Sequence, residues 1–194
     1  MSEPLSDRAL DQLFRTARTY NGYTDQPVST EQLHAIWDLM KMGPTSANML
    51  PARMVWCVSD EAKQKLAACC MEANAKKILA APVSVVIGMD MEFYEQLPEL
   101  FPHVDARPWF NWSAEFARET AFRNSSLQGA YLIMAARGLG WDTGPMSGFD
   151  KMAVDAAFWG ETGIETNFIC SFGKGNGEGL FPRLPRLSFE DAAQ

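Results

Sequence analysis

Basic and hydroxyl-bearing residues cluster where the chain turns after its first amphipathic stretch. The segment ARTYNG at 17–22 brings Arg18, Thr19 and Asn21 close together, and Arg183 in the C-terminal FPRLPR offers a second guanidinium. Guanidinium, hydroxyl and amide donors together are suited to holding a phosphate. Taken singly, each of these residues is more often a solvated surface residue. The pattern therefore leaves a phosphate site and an ordinary surface both open.

A second segment, GPTSANMLPAR at 43–53, collects short hydrogen-bonding residues between two prolines, directly after an apolar helical stretch. Glycine and proline are typical of a simple loop. A loop that wraps a flat polar ligand would have the same composition. The segment alone does not decide between these two interpretations.

Several other chemistries find no support in the residue types. Two histidines and the absence of a CxxC pair argue against a metal centre, so we expect no metal and four free thiols. No GxSxG elbow is present, which argues against a hydrolase. The glycine string from Gly173 to Gly179 runs into FPRLP and cannot open the helix that a dinucleotide-binding turn requires, so we interpret it as a loop.

The elements that must position these residues alternate between helical and strand patterns. Ser29 and Gln32 form a capping box, followed by apolar residues at helical spacing from Leu33 to Met40. The patterns predict helices over about 6–18, 30–40, 60–79 and 119–138 and from about 150, strands at 54–58, 82–89, 141–143 and 167–173, and an extended C-terminal arm. The fold class is therefore mixed α+β.

Length and charge set the remaining bounds. The 194 residues show no internal repeat or linker, so we expect one domain over 1–194. A formal net charge of −7 argues against nucleic-acid binding, but focused arginines can still hold a small anion. No apolar run is long enough for a membrane span and no signal-peptide pattern begins the chain. We expect a cytoplasmic protein without a membrane or nucleic-acid partner.

In order along the chain, ARTYNGY, GPTSANMLPAR, NAKKILAAPV, GLGWDTGPMSGFD and FPRLPR resemble the flavin-dependent nitroreductase family over almost the whole sequence. The resemblance implies an FMN-binding α+β fold with a central, mostly antiparallel sheet flanked by helices. It also implies a homodimer and NADPH or NADH as the electron donor. In such enzymes flavin N5 carries the hydride, so no catalytic side chain is expected.

The same resemblance implies which residues hold FMN. Arg18 and Thr19 match the family's phosphate turn, Asn21 stands at its second basic position, and Arg183 matches its C-terminal phosphate arginine. The remaining matches line the flavin ring and ribityl chain: Pro44, Thr45, Ser46 and Asn48, reaching across the dimer interface; Asn74 and Lys77; and Pro145, Met146, Ser147 and Gly148. A cation such as Lys77 near the ring's pyrimidine edge stabilises negative charge there.

More detailed similarities, including EFYEQLP, LFPHVDAR and ETAFRNSS, resemble the branch that reduces malonic semialdehyde (3-oxopropanoate) to 3-hydroxypropanoate in uracil degradation. The alternatives are a broad nitro- or quinone reductase and a flavin-binding protein without substantial turnover. For a small aldehyde acid, Arg107 is the expected carboxylate anchor, with Trp109 and Phe110 excluding water beside it. A surface Arg107 paired with Asp105 is the competing interpretation, and Arg53 and Arg123 are the reserve anchors.

Overall fold

A four-stranded antiparallel sheet forms the centre of the protein. The computed structural model describes residues 3–193. The strands follow the order β1-β2-β4-β3 across the sheet and every neighbouring pair is antiparallel. Their bounds are β1 Ala52–Cys57, β2 Val83–Asp90, β3 Asp142–Met146 and β4 Ile164–Gly173. The α+β fold with an antiparallel sheet flanked by helices is confirmed.

Eight α-helices are present within residues 3–193. They are α1 Asp7–Leu10, α2 Thr30–Met40, α3 Asp60–Ala67, α4 Glu72–Ala80, α5 Leu97–Leu100, α6 Ala114–Gly138, α7 Lys151–Phe158 and α8 Phe189–Ala192. A π-helical stretch, Asp11–Arg15, continues α1. Buried residues of α2, α6 and the sheet form one large apolar cluster, and a second cluster lies between the sheet and the helices α3, α4 and α7. These two clusters hold the sheet between helical layers.

The start of α2 agrees with the sequence pattern. Ser29 and Gln32 form the reciprocal bonds of a capping box, and the helix buries Leu33, Ile36 and Met40. The start of α6 does not agree, because it lies five residues earlier than predicted. Ser113 caps it by accepting a hydrogen bond from the Phe116 N–H at 3.3 Å.

The single helix predicted over 60–79 is wrong, because the chain forms two helices, α3 and α4. The interruption pairs with the segment that follows β3. Met71 N–H donates to the Gly148 carbonyl at 3.2 Å, and Asp150 N–H donates to the Cys69 carbonyl at 2.8 Å. Tertiary pairing thus overrides a sequence of good helix formers and places the N-terminus of α4 beside Gly148.

Other helix and strand boundaries also differ from those predicted. The first helical stretch ends at Arg15 rather than near 18, and the strand expected at 141–143 extends to Met146. The C-terminal arm is extended as predicted, apart from the short helix α8, and it is exposed. Pro145 and Met146 therefore belong to an edge strand of the sheet, which gives them a fixed orientation.

Candidate functional site

The first cavity of interest lies where residues 17–21, the end of α6 and the C-terminal arm meet. It has a volume of about 270 Å³. Four arginines line it, two more than the sequence indicated: Arg18, Arg137, Arg183 and Arg186. Thr19 and Asn21 line it as well, so the structure brings together all four residues predicted to hold the phosphate.

Backbone carbonyls, rather than carboxylates, hold these guanidinium groups. Arg18 donates to the Phe181 carbonyl, and Arg183 donates to the Ala17 carbonyl at 2.8 Å. Residues 17–18 and the C-terminal arm are thus joined by two reciprocal hydrogen bonds. Across residues 3–193 none of the four arginines forms a salt bridge. Guanidinium groups without a paired carboxylate suit a bound dianion.

Arg137 is a half-buried member of this group. Burial lowers the pKa of its guanidinium, and within the described chain its buried Nε has no hydrogen-bond partner. Its Nη1 donates to the Leu13 carbonyl at 3.2 Å. An anionic ligand stabilises such a desolvated cation, with its unused donor beside a cavity, more than it stabilises a solvated one. The reason is that charge–charge attraction is stronger where water is excluded.

A wider cavity of about 590 Å³ adjoins the first at Asn21, which lines both. The other lining residues belong to α4 and the turn before it, and they include Met71, Lys76 and Lys77. Lys76 pairs with Glu72 at 2.7 Å, whereas Lys77 forms no salt bridge with any residue of the described range. The ammonium group of Lys77 therefore remains available to a ligand.

β3 and the residues just after it contact segments that line the two cavities. Thr19 pairs with Thr143 in a parallel bridge, so the phosphate turn is attached at the start of this strand. Just beyond the end of the strand, Asn74 Nδ2 donates to the Gly148 carbonyl at 3.0 Å. A Cβ on Gly148 would lie only 2.7 Å from Asn74 Nδ2, so a larger residue at this position would displace the Asn74 amide.

The polar loop at 43–53 lies elsewhere in the subunit. Pro44, Thr45, Ser46 and Asn48 line neither of the two cavities. The loop instead contacts α6, where the Ser46 N–H donates to Asn124 Oδ1 at 2.9 Å. Within one subunit, the structure does not bring these four residues to the cation-lined cavity.

The residues predicted to bind the substrate do not form a free carboxylate site. Arg107 donates through Nε and Nη2 to both carboxylate oxygens of Asp105, each at 2.9 Å. This pairing raises the pKa of Arg107 and lowers that of Asp105. Trp109 is half exposed, whereas Phe110 is buried against Phe93 with ring centroids 5.5 Å apart. The geometry is that of the surface pair with Asp105.

Both reserve arginines are also engaged. Arg53 Nη2 pairs with Asp90 at 2.6 Å, and Arg123 pairs with Glu119. None of the three arginines considered as carboxylate anchors therefore has a free guanidinium.

Sequence reasoning missed Arg137 and Arg186. Arg186 repeats Arg183 three residues later in RLPR, and this repetition was a usable signal. Arg137 carried no comparable signal, because only the fold brings the end of α6 to residues 17–21 and 180–186.

Comparisons with known proteins give a consistent result. The model of the "Nitroreductase family" matches residues 14–174. A Stenotrophomonas maltophilia (strain R551-3) protein named "Putative NADH dehydrogenase/NAD(P)H nitroreductase" is 57% identical over 194 residues, which are 100% of this chain and 99% of that protein. A Burkholderia lata relative with the same type of name is 57% identical over 190 residues, 98% of this chain and 97% of its own.

Among solved structures, a nitroreductase from Exiguobacterium sibiricum in complex with FMN, qualified as "putative" in its description, superimposes with a TM-score of 0.86. It is 22% identical and covers 100% of this chain and 99% of its own. Within residues 3–193, no helix combines the length and apolarity that crossing a bilayer needs. The family match and the 57% identity over the full length show that this chain belongs to the nitroreductase family.

Proposed function

We propose that this protein is an FMN-dependent NAD(P)H oxidoreductase. One observation carries the proposal: four guanidinium groups, none with a carboxylate partner among residues 3–193, line a cavity that adjoins a wider one at Asn21. FMN consists of a dianionic phosphate joined to a flat polar ring, and the two cavities suit those two parts. The FMN complex of the Exiguobacterium protein and the NAD(P)H-related names of the bacterial relatives support the same assignment.

Residues of this chain divide into two groups around such a cofactor. Arg18, Thr19, Asn21 and Arg183, with Arg137 and Arg186, would hold the phosphate. Asn74, Lys77 and the segment 145–148 would face the ring. The Lys77 ammonium would stabilise negative charge at the pyrimidine edge of the ring.

When bound, FMN supplies the atom that accepts hydride from NAD(P)H and passes it to an acceptor. The protein then needs no nucleophile of its own. Its contribution is to bind the phosphate, orient the ring and fix the electrostatic environment around it. Asn74 is oriented for this role because its amide donates to the Gly148 carbonyl.

We also propose that the active form is a homodimer. Large apolar side chains stand exposed on the outer face of α6 and at the end of α2, including Leu127 at 46%, Tyr131 at 42% and Met42 at 75%. The two helices share this face, because the Tyr131 ring lies where a Cβ on Gly43 would be. An apolar patch of this kind is typical of a protein–protein interface. A dimer would also allow the loop 44–48 to serve the cofactor of the other subunit.

Two substrate classes remain in the proposal. Malonic semialdehyde requires a cation for its carboxylate, yet Arg107, Arg53 and Arg123 are all paired with acidic residues. This observation favours the alternative, a nitro- or quinone reductase of broad specificity, whose acceptors need no such anchor. The names of the relatives also include nitroreductase.

One assay separates these functions. The FMN-loaded protein is given NADH or NADPH together with malonic semialdehyde, nitrofurazone or a quinone, and nucleotide oxidation is followed by absorbance. Turnover with nitrofurazone and the quinone but not the acid supports the broad reductase, and the reverse supports the aldehyde acid. FMN uptake without turnover on any acceptor would leave a flavin-binding protein, and a protein that takes up no FMN would refute the entire proposal.

A further inference from the structure

The loop between α2 and β1 adopts an uncommon backbone. Ala47, Asn48 and Leu50 have φ angles of 46°, 52° and 40°, in the left-handed region that residues with a Cβ rarely occupy. Three such residues within four positions do not result from local preference. The surrounding structure must impose this conformation.

Two buried amides on α6 hold the two ends of this loop. Asn124 Oδ1 accepts from the Ser46 N–H at 2.9 Å, and Gln128 Oε1 accepts from the Ala52 N–H at 2.8 Å. The two residues are 3% and 2% exposed and lie one helical turn apart on the same face. Asn124 is itself oriented, because its Nδ2 donates to the Thr120 carbonyl at 2.9 Å.

A third side chain fixes the end of the loop that enters β1. Arg53 Nη1 donates to the carbonyls of Leu50 and Ala52 at 3.0 and 3.1 Å, while its Nη2 pairs with Asp90. The side chain of Met49 is fully buried and anchors the loop on its inner side. The backbone therefore has fixed positions at residues 46, 49, 50 and 52.

These contacts leave Pro44, Ser46 and Asn48 exposed. The Asn48 side chain is itself held in place, because its Nδ2 donates to the Leu100 carbonyl at 2.8 Å. We propose that Asn124 and Gln128 are positioning residues: they hold residues 44–48 in the conformation that meets the FMN ring. This inference rests on the proposed function, including the homodimer, because residues 44–48 line neither cavity of their own subunit. The two amides act through the loop backbone, and preset geometry of this kind is what reaction rates depend on.

The test compares substitutions on α6 in the full-length, FMN-loaded protein. Gln128→Met keeps the length of the side chain but removes the acceptor, whereas Gln128→Glu keeps an oxygen for the Ala52 N–H. Thr120→Val is the matched control: Thr120 is 3% exposed on the same helix, and its hydroxyl has no partner within residues 3–193. The readouts are the FMN dissociation constant, the visible spectrum of FMN, and kcat and KM with NAD(P)H and a quinone.

Gln128→Met should lower kcat and weaken FMN binding by about 10- to 100-fold and shift the FMN absorption bands. Gln128→Glu should restore both to within a few-fold, and Thr120→Val should behave as the wild type. If Gln128→Met equals the control, or if its losses only follow a lower melting temperature with an unchanged spectrum, the positioning role is refuted. A wild type that takes up no FMN would instead refute the proposed function.

A second measurement does not depend on any variant folding. In hydrogen-exchange mass spectrometry of the wild type, the peptide covering residues 43–53 should exchange slowly, because side chains on α6 hold its Ser46 and Ala52 N–H groups. Exchange at the rate of an unstructured loop would show that the amides do not fix it, and would overturn the inference even with FMN bound.

Discussion

Replacing Arg137 with methionine should separate the affinity for FMN from the stability of the fold. The substitution keeps an unbranched apolar side chain over the same packing surface and removes only the guanidinium. Arg137 lies half-buried beside the cation-lined cavity, with burial lowering its pKa and its Nε without a partner in the described chain. Its charge is therefore unfavourable in the empty protein and favourable once an anion is present.

The expected changes in FMN affinity and in fold stability follow from the hydrogen bonds that Arg137 makes. One charge-assisted hydrogen bond to phosphate contributes about 1.5–3 kcal/mol, and partial solvent exposure argues for the lower end of that range. FMN binding should then weaken by roughly 10- to 30-fold. In the FMN-free protein the loss of the bond to the Leu13 carbonyl, about 0.5–1.5 kcal/mol, is offset by removal of a desolvated charge. The free energy of unfolding should change by less than about 1 kcal/mol.

The assay is a fluorescence titration with FMN and with riboflavin, which lacks the phosphate. Arg137→Met should weaken FMN binding and leave riboflavin binding unchanged. Arg123→Met is the matched control, because Arg123 lies on the same helix but is exposed and paired with Glu119. An equal loss for both ligands, or unchanged FMN binding, would show that Arg137 does not hold the phosphate.

Three further predictions concern the interface, the substrate and the ring site. Tyr131→Glu should convert a dimer into a monomer at micromolar concentration in analytical ultracentrifugation, and a wild type that is already monomeric with FMN bound would contradict the proposed dimer. If malonic semialdehyde is the substrate and Arg107 releases Asp105 to bind it, Arg107→Leu should lower activity on the acid alone; an equal effect on a quinone would exclude the anchor. Gly148→Ala should weaken FMN binding by about tenfold by displacing Asn74. Gly138→Ala should not, because its Cβ would make only an ordinary contact with Leu13 at 3.9 Å.

Local signals in the sequence predicted the elements that depend on local chemistry. The capping box at Ser29 fixed the start of α2, and the strand patterns located β1, β2 and β4 to within three residues. The predicted helix at 60–79 failed because the interruption near Cys69 is stabilised by residues 148–150. No local propensity reports a partner that lies so far away along the sequence.

In the candidate site, too, residues with a local sequence signal were predicted and residues placed only by the fold were not. Resemblance located Arg18, Thr19, Asn21 and Arg183, and the structure brings these four residues to one cavity. Arg137 joins them only because the end of α6 reaches the C-terminal arm. The left-handed residues of the loop were also invisible in the sequence, since neither Ala47 nor Leu50 is a residue type that favours that conformation.

Several large apolar residues of the long helix α6 face outward rather than toward the core. Phe122, Leu127 and Tyr131 recur at nearly helical spacing, yet they are 52%, 46% and 42% exposed, while the polar Asn124 and Gln128 are buried. Buried amide groups need hydrogen-bond partners, and here N–H groups of the loop backbone donate to both side-chain oxygens. The inner face thus determines the shape of the loop, and the outer face remains apolar. In the proposed dimer the helix that fixes the loop is also the helix that meets the second subunit, so formation of the ring site and association of the subunits depend on the same element.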